Sequence, residues 1–543
     1  MKMTGARSMI EALELEGVDV IFGYPGAAIC PFYDALIDSK IEHILTRHEQ
    51  GAVHAANGYA RVTGKPGACV VTSGPGATNA ITGIATAYMD SVPMVIISGQ
   101  VSTELIGRDV FQEADITGAT EPFCKHSYLV RDANDLPRIM KEAFHIASTG
   151  RPGPVLVDVP IDVQTQEARF EYPNEIEIRG YKPILSGHAF QIKKISETIE
   201  KSKSPVVCAG GGMISSGACN ELLELVVKAR IPVVTTLMGK GAIPTNHEMY
   251  LGMIGSHGVY TANYAINNAD TVLFLGARIG DRAIGGAALN ITKKAKIIHI
   301  DIDPAEIGKN IGANIPVVGH IKHILAQLNK VIKSGNTDEW IESVLRIRKE
   351  HPLKIGSTTH SETVNPKYIL SILSDYIDTN TVVTTEVGQN QIWAANYVNI
   401  EKAGTFISSG GMGTMGYGLP AAIGACIGKN KSETIVISGD GSFQMSMQEL
   451  GVIKEKKLPI KIILLNNSRL GMVCELQKNR YNGRYSGVFL NNNPDFIQLF
   501  KAYGFKGERI QSNAQVKDAL YRMSKSEEAF LLECIVDPSE STL

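Results

Sequence analysis

One unit recurs from end to end of this chain: a short apolar run, a glycine-rich turn, then a helix with one apolar face. Met9, Ile10 and Leu13 fit one helical face, and Gly17 is placed to end that helix. Residues 18–22 read as a strand running into Gly23-Tyr24-Pro25-Gly26. Residues 70–72 precede Ser73-Gly74-Pro75-Gly76, and 92–98 form another strand. The pattern returns at 205–209 before Gly210-Gly211-Gly212, at 272–275 before Gly276-Ala277-Arg278, and at 297–302. It returns again at 434–437 before Gly439-Asp440-Gly441, and at 460–465 before Asn466-Asn467. Strands this apolar, alternating with helices, predict parallel sheets covered on both faces. A chain of 543 residues is too long for one hydrophobic core. Two polar stretches, 163–187 with Pro173 and Pro183, and 334–365 with Pro352, read as linkers over the surface. The fold class expected is therefore α/β, with three doubly wound parallel-sheet domains at 1–165, 188–332 and 362–543.

The charge balance excludes some partners. A net charge of −2 gives no electrostatic case for nucleic acid or an acidic membrane. No apolar run approaches the ~18 residues of a membrane-spanning helix. The N-terminus, with Glu11, Glu14 and Glu16 in its first helix, does not read as a secretory signal. The eight cysteines include no C-x-x-C pair, so a thiolate metal site is not expected. Buried reduced thiols fit a reducing compartment, and a cytoplasmic location is the expectation.

The sharpest chemical signal is Gly439-Asp440-Gly441, followed after 24 residues by Asn466-Asn467. Each half ends a strand, where ligands of open α/β sheets bind. Glycines on both sides of Asp440 allow backbone N–H groups close to a diphosphate. A carboxylate and an amide oxygen are hard ligands that suit Mg²⁺ shared with phosphate. Alone, Gly-Asp-Gly is an ordinary turn; the paired spacing at two strand ends points to a diphosphate–Mg²⁺ site.

This spacing is similar to the thiamine-diphosphate motif, and nearly the whole chain resembles the catalytic subunit of acetohydroxyacid (acetolactate) synthase. The resemblance implies thiamine diphosphate and Mg²⁺, with Asp440, the Asn467 side chain and the Arg469 carbonyl as metal ligands. Gly388, Gln389, Gly439, Gly441 and Ser442 would join them around the cofactor. Arg47-His48-Glu49-Gln50-Gly51-Ala52 matches a second family signature, in which the residue at Glu49 bonds the aminopyrimidine and promotes loss of the thiazolium proton. A free Glu titrates near about 4.3; burial against an apolar ring is expected to raise that value. Without the resemblance, Glu49 reads as a first-turn acid favoured by the helix dipole. In the run 411–418, Gly413 would accept from the exocyclic amine and Met415 would wedge the cofactor into a V. Tyr24, Pro25, Thr72, Gly76 and Asn79 would complete the cofactor site. Gly26 and Gln112 would face the reacting carbon, Phe111 would line the substrate pocket, and Arg282 would grip a 2-oxo acid carboxylate. Gly210, Gly211, Gly212, Gly276, Arg278 and Asp301, with Arg108 from the first domain, follow the family's flavin pattern, so FAD is a further expected cofactor.

Four positions depart from the family. Leu476 stands where synthases usually have Trp, Ser256 where they have Met, Ile161 where they have Lys, and Asn390 where they have His. The longer C-terminal arm of relatives is expected to be absent. The reaction implied is decarboxylation of pyruvate and transfer of the two-carbon unit to a second 2-oxo acid, giving 2-acetolactate or 2-aceto-2-hydroxybutyrate. The altered pocket leaves open transfer to a bulkier acceptor such as a keto sugar, or a pyruvate oxidase or decarboxylase reaction. A homodimer or homotetramer is implied, with a possible small regulatory subunit.

Overall fold

The computed structural model describes residues 2–284, 294–356 and 362–542. Three six-stranded parallel sheets dominate it. The first, in spatial order, runs Glu42–Leu45, Val20–Tyr24, Gly67–Val71, Met94–Gln100, Pro154–Pro160, His126–Leu129. The second runs Tyr250–Met253, Val233–Thr235, Pro205–Ala209, Thr271–Leu275, Lys296–Asp301, Ile315–Val318. The third runs Phe406–Ile407, Val382–Thr385, Thr434–Gly439, Ile460–Asn466, Phe530–Ile535, Lys506–Ile510.

Each sheet has a switch point: between Val20–Tyr24 and Gly67–Val71, between Pro205–Ala209 and Thr271–Leu275, and between Val382–Thr385 and Thr434–Gly439. At such a point the connections leave in opposite directions and open a crevice beyond the strand ends. Helices bury both faces of each sheet. On the first, Ile21, Val70, Val95 and Ile97 pack with Met9 and Leu13, while Phe22, Cys69, Val71 and Ile96 face the opposite layer.

That opposite layer is shared. Helix Glu49–Thr63 of the first domain lies against helix Gly418–Gly428 of the third. One core therefore joins Phe22 and Ala55 to Leu419, Val436 and Ile462. The helices touch backbone to backbone: a Cβ on Gly58 would lie 2.0 Å from the Ala421 carbonyl oxygen, and one on Gly424 would lie 1.7 Å from that of Ala55.

Both presumed linkers carry structure. Within 334–365, Asp338–Glu350 is a helix with Asp338 and Glu339 in its first turn and Arg348 and Lys349 in its last, matching the helix dipole. Its Trp340, Ile341 and Val344 are buried, and the indole donates to the Pro205 carbonyl at 3.0 Å. Charge hid the thin apolar stripe. Within 163–187, Glu167–Arg169 pairs antiparallel with Lys2–Thr4. The first-domain strands expected at 18–22 and 92–98 run two residues later, as Val20–Tyr24 and Met94–Gln100, because Gly23 and Gly99 stay in the ladder where a neighbouring backbone approaches closely. Six of the eight cysteines are buried; Cys30 is exposed and Cys219 partly so. Among the described residues, no helix is long and apolar enough to cross a membrane.

Candidate active site

A cleft of about 440 Å³ opens at the switch point of the third sheet. Its lining includes Gly388, Gln389, Met415, Gly439, Asp440, Gly441, Ser442, Asn467 and Arg469, which the sequence had drawn from four separate segments. Gly413, exposed, lies near Val387 of its lining. Gly388 has φ 143°, a conformation only glycine adopts freely, and it starts helix Gln389–Tyr397. Gly388, Gln389 and Asn390 at that helix start line the cleft, and a helix start is suited to phosphate. Asp440 is buried, accepts from the Asn493 amide at 2.7 Å, and burial pushes its carboxyl up to about 6. Among the described residues it has no cationic partner in a salt bridge. A desolvated carboxylate beside the Asn467 amide fits a hard divalent cation that also holds phosphate. Asn467 Nδ2 donates to Gln389 Oε1 at 3.1 Å, so the metal and diphosphate candidates already touch.

The loop carrying Gly413 and Met415 is fixed from behind by Glu386, a fully buried side chain. Its carboxylate accepts from the backbone N–H groups of Gly416 and Gly418 at 2.8 Å and of Leu419 at 3.2 Å. Burial pushes this carboxyl up to about 7, against the pull of those donors.

A second cluster gathers at the switch point of the first sheet. Glu49 is the first residue of its helix and accepts from Asn79 Nδ2 at 3.0 Å. A Cβ on Gly76 would lie 3.3 Å from Glu49 Oε1, and one on Gly26 would lie 2.5 Å from Thr72 Cγ2. Gln112 has φ 59°, the left-handed region, and its backbone crosses over Gly74. Gly26, Glu49, Thr72, Gly76, Asn79 and Gln112 thus converge. Tyr24 and Pro25 leave the same strand end, and Tyr24 is exposed. Phe111 is 86% exposed, which no core role explains. Arg108, in the same segment, is also exposed.

Among the described residues, no member of the first-domain cluster lines the third-domain cleft. Every residue lining the third-domain cleft lies between Val387 and Val473. Arg282 and Leu476 stand at the surface, with the Arg282 side chain 79% exposed and its nearest carboxylate, Asp281, 3.9 Å away. His257 feels both Glu475 and Arg282, which puts these three in one neighbourhood; burial, the largest influence, lowers the His257 pKa.

In the middle domain the glycines have an internal reason. A Cβ on Gly210 would lie 2.2 Å from the Gly276 carbonyl oxygen, and Gly212 N donates to that same oxygen at 2.9 Å. Gly211 would meet Met238. Two turns cross at the switch point and leave no room for side chains. Arg278 lies there among Asp90, Asp301, Glu306 and Arg151, and Asp301 is pushed up to about 6 by burial.

Sequence reasoning missed Asn493, which holds Asp440 from 53 residues away, and Glu386. It also missed Glu475, which accepts from Gln389 Nε2 at 3.1 Å and from Thr542 Oγ1 at 2.9 Å. The backbone carbonyls of Glu540 and Ser541 accept from Gln389 Nε2 and Trp393 Nε1, so the last described residues lie against the cleft wall. No local motif marks any of these contacts.

Three family models match in the order of the three sheets. They are the thiamine pyrophosphate enzyme N-terminal TPP binding domain over residues 3–119, the central domain over 192–328 and the C-terminal TPP binding domain over 386–534. Their class is that of thiamine pyrophosphate enzymes. The probable acetolactate synthase large subunit of Methanocaldococcus jannaschii is 46% identical over 99% of this chain and 93% of its own. The acetolactate synthase of Mycobacterium bovis is 44% identical over 96% of this chain and 85% of its own. The acetolactate synthase large subunit of Corynebacterium glutamicum is 44% identical over 96% and 84%. The chain belongs to the acetolactate synthase family of thiamine-pyrophosphate-dependent enzymes.

Proposed function

We propose that this chain decarboxylates pyruvate and transfers the two-carbon unit to a second 2-oxo acid, giving 2-acetolactate or 2-aceto-2-hydroxybutyrate. The observation that carries the reading is the pair of half-sites, one around Glu49 and one around Asp440, at switch points of two sheets in a chain related over nearly its full length to acetolactate synthases. Relatives bearing that name at 43–46% identity argue against the bulkier-acceptor, oxidase and decarboxylase alternatives.

Thiamine diphosphate, when bound, supplies a carbon nucleophile and an electron sink for the departing carbon dioxide. The protein's part is positioning and proton control. Gly388, Gln389 and the Gly439–Ser442 turn bind the diphosphate, and Asp440, Asn467 and the Arg469 carbonyl hold Mg²⁺ against it. Gly413 and Met415 orient the two rings. Glu49 holds or releases a proton at the pyrimidine. Gln112 and the turn at Gly26 steady the developing oxyanion. Arg282 binds the 2-oxo acid carboxylate, and Phe111 and Leu476 line the acceptor space. FAD is proposed at the middle-domain switch point, with Arg278 toward its diphosphate and Asp301 toward a ribose hydroxyl. The cellular site proposed is the cytoplasm.

The separation of the half-sites within one chain supports a homodimer, in which Glu49 of one copy faces the Asp440 cleft of the other. The names of the relatives support a place for this chain as a large subunit beside a small regulatory one.

Turnover of pyruvate with thiamine diphosphate, Mg²⁺ and FAD, followed by mass spectrometry, tests the reading. Acetolactate as the main product is expected; pyruvate consumed to acetaldehyde alone would reject it. Glu49→Gln is expected to lose roughly 10²-fold or more in kcat with cofactor binding retained. Wild-type turnover by that variant would remove Glu49 from its role.

A further inference from the structure

The contact between the first and third domains carries two buried carboxylates that each reach into the opposite domain. Asp90 ends helix Pro75–Asp90, and its side chain is 0% exposed. Its Oδ1 accepts from the backbone N–H of Gly411 at 2.7 Å, at the start of the loop that carries Gly413 and Met415. Its Oδ2 is held by Arg61 at 2.7 Å, and Arg61 in turn donates to the Ser408 carbonyl at 3.0 Å. Four residues earlier on the same helix, Thr86 Oγ1 lies 2.7 Å from Thr414 Oγ1 in that loop. The other end of this helix carries Asn79, which bonds Glu49.

The mirror arrangement starts from the third domain. Glu449 is fully buried, and both its oxygens accept from the backbone N–H of Arg47, at 3.0 and 3.1 Å. Arg47 lies two residues before Glu49, so this carboxylate supports the turn that begins helix Glu49–Thr63. Gly51 has no side chain at the place where a Cβ would come within 2.5 Å of Glu449 Oε1. A second third-domain acid, Glu455, takes the Arg47 guanidinium at 3.0 Å. Two acids placed in the interior without partners would cost stability; Glu449 takes the Arg47 N–H from the other domain, and Asp90 shares its oxygens between the Gly411 N–H of the other domain and Arg61 of its own.

We propose that Asp90 and Glu449 are positioning residues that cross-brace the two half-sites, Asp90 holding the Gly411–Gly418 loop and Glu449 holding the Arg47–Glu49 turn. The proposal rests on the thiamine diphosphate reading above. Neither side chain touches the cleft. Each fixes, through a backbone N–H, a segment that would meet the cofactor. The brace lies within one chain, so in a homodimer it ties the Glu49 end of one site to the ring-binding loop of the other.

Trp393 lines the cleft, so its fluorescence is the readout chosen for binding. In the full-length protein with Mg²⁺, the affinities of thiamine diphosphate and of inorganic diphosphate are measured side by side. D90N, and T86V as a milder removal of one contact, are expected to weaken thiamine diphosphate on the order of tenfold and leave inorganic diphosphate unchanged. E449Q is expected to leave both affinities unchanged and to slow exchange of the thiazolium proton on the order of tenfold. Equal loss of both ligands in D90N and T86V, or loss of neither, overturns the role of Asp90. Wild-type exchange in E449Q overturns that of Glu449. A wild-type protein that binds inorganic diphosphate and gains nothing from the thiamine rings would instead reject the cofactor reading itself.

Discussion

Asp440 and Glu49 are both acids at the head of a helix, and their surroundings give them different tasks. Asp440 is held by Asn493 inside the third domain, with burial raising it from its ordinary 3.8 to about 6. The sign follows from linkage. Its raised folded value contributes stability to the cofactor-free chain that is present below about 3.8 and lost as pH rises through about 6. Mg²⁺ needs the ionised form, so its binding has the opposite slope. Mg²⁺ affinity is expected to fall about tenfold per unit as pH drops below 6. Metal titrations at several pH values check this, and a flat profile from pH 5 to 7 would contradict it. Glu49 is half-buried within one chain and accepts from Asn79 Nδ2. At Leu476, 43% exposed at the surface, a branched aliphatic side chain would leave the proposed acceptor space without a flat wall. L476W is expected to shift acceptor preference toward 2-oxobutyrate over pyruvate by about 1–3 kcal/mol. Competition between the two acceptors measures it; an unchanged product ratio would mean that Leu476 does not line that space.

Helices Glu49–Thr63 and Gly418–Gly428 decide how the half-sites sit, because each begins at a candidate site and their middles touch. Gly424 has no space for a methyl group beside the Ala55 carbonyl. G424A is expected to force the helices apart and cost about 1–3 kcal/mol, read as a lower melting temperature. A variant as stable as wild type would show that the contact yields freely. The strand–turn–helix rhythm made all three sheets legible, because a short apolar run without alternation, bounded by glycine-rich turns, fits a strand covered on both faces. Gly439-Asp440-Gly441 and Asn466-Asn467 were legible for a related reason: two strand ends beside one switch point put both turns into one crevice. Helix Asp338–Glu350 was not, since its stripe of Trp340, Ile341 and Val344 is thin within a strongly charged segment. The braces through Asp90, Glu386 and Glu449 were not legible either. Each bonds a backbone N–H at long range, up to 402 residues away for Glu449 and Arg47, and a backbone N–H leaves no mark on sequence.

At the scale of the whole molecule, no described first-domain residue lines the third-domain cleft, and this has a consequence that mixing experiments expose. If each site of a homodimer combines Glu49 of one copy with Asp440 of the other, two inactive chains can complement. An E49Q chain keeps an intact Asp440 cleft, and a D440A chain keeps an intact Glu49. Their mixed dimer has one site with both changes and one site with neither. Random exchange of subunits gives about half mixed dimers, so about a quarter of the wild-type sites return. Pyruvate turnover of the mixture, after co-expression from two differently tagged genes, is therefore expected to recover about a quarter of wild-type activity, with each variant alone near zero. Recovery requires that both variants fold and associate, which co-purification of the two tags shows independently. Co-purified dimers without activity would mean that each site is assembled within a single chain, by closure of the first domain onto its own third domain. That closure would have to break the contact between helices Glu49–Thr63 and Gly418–Gly428, which shares one hydrophobic core and admits no Cβ at Gly58 or Gly424.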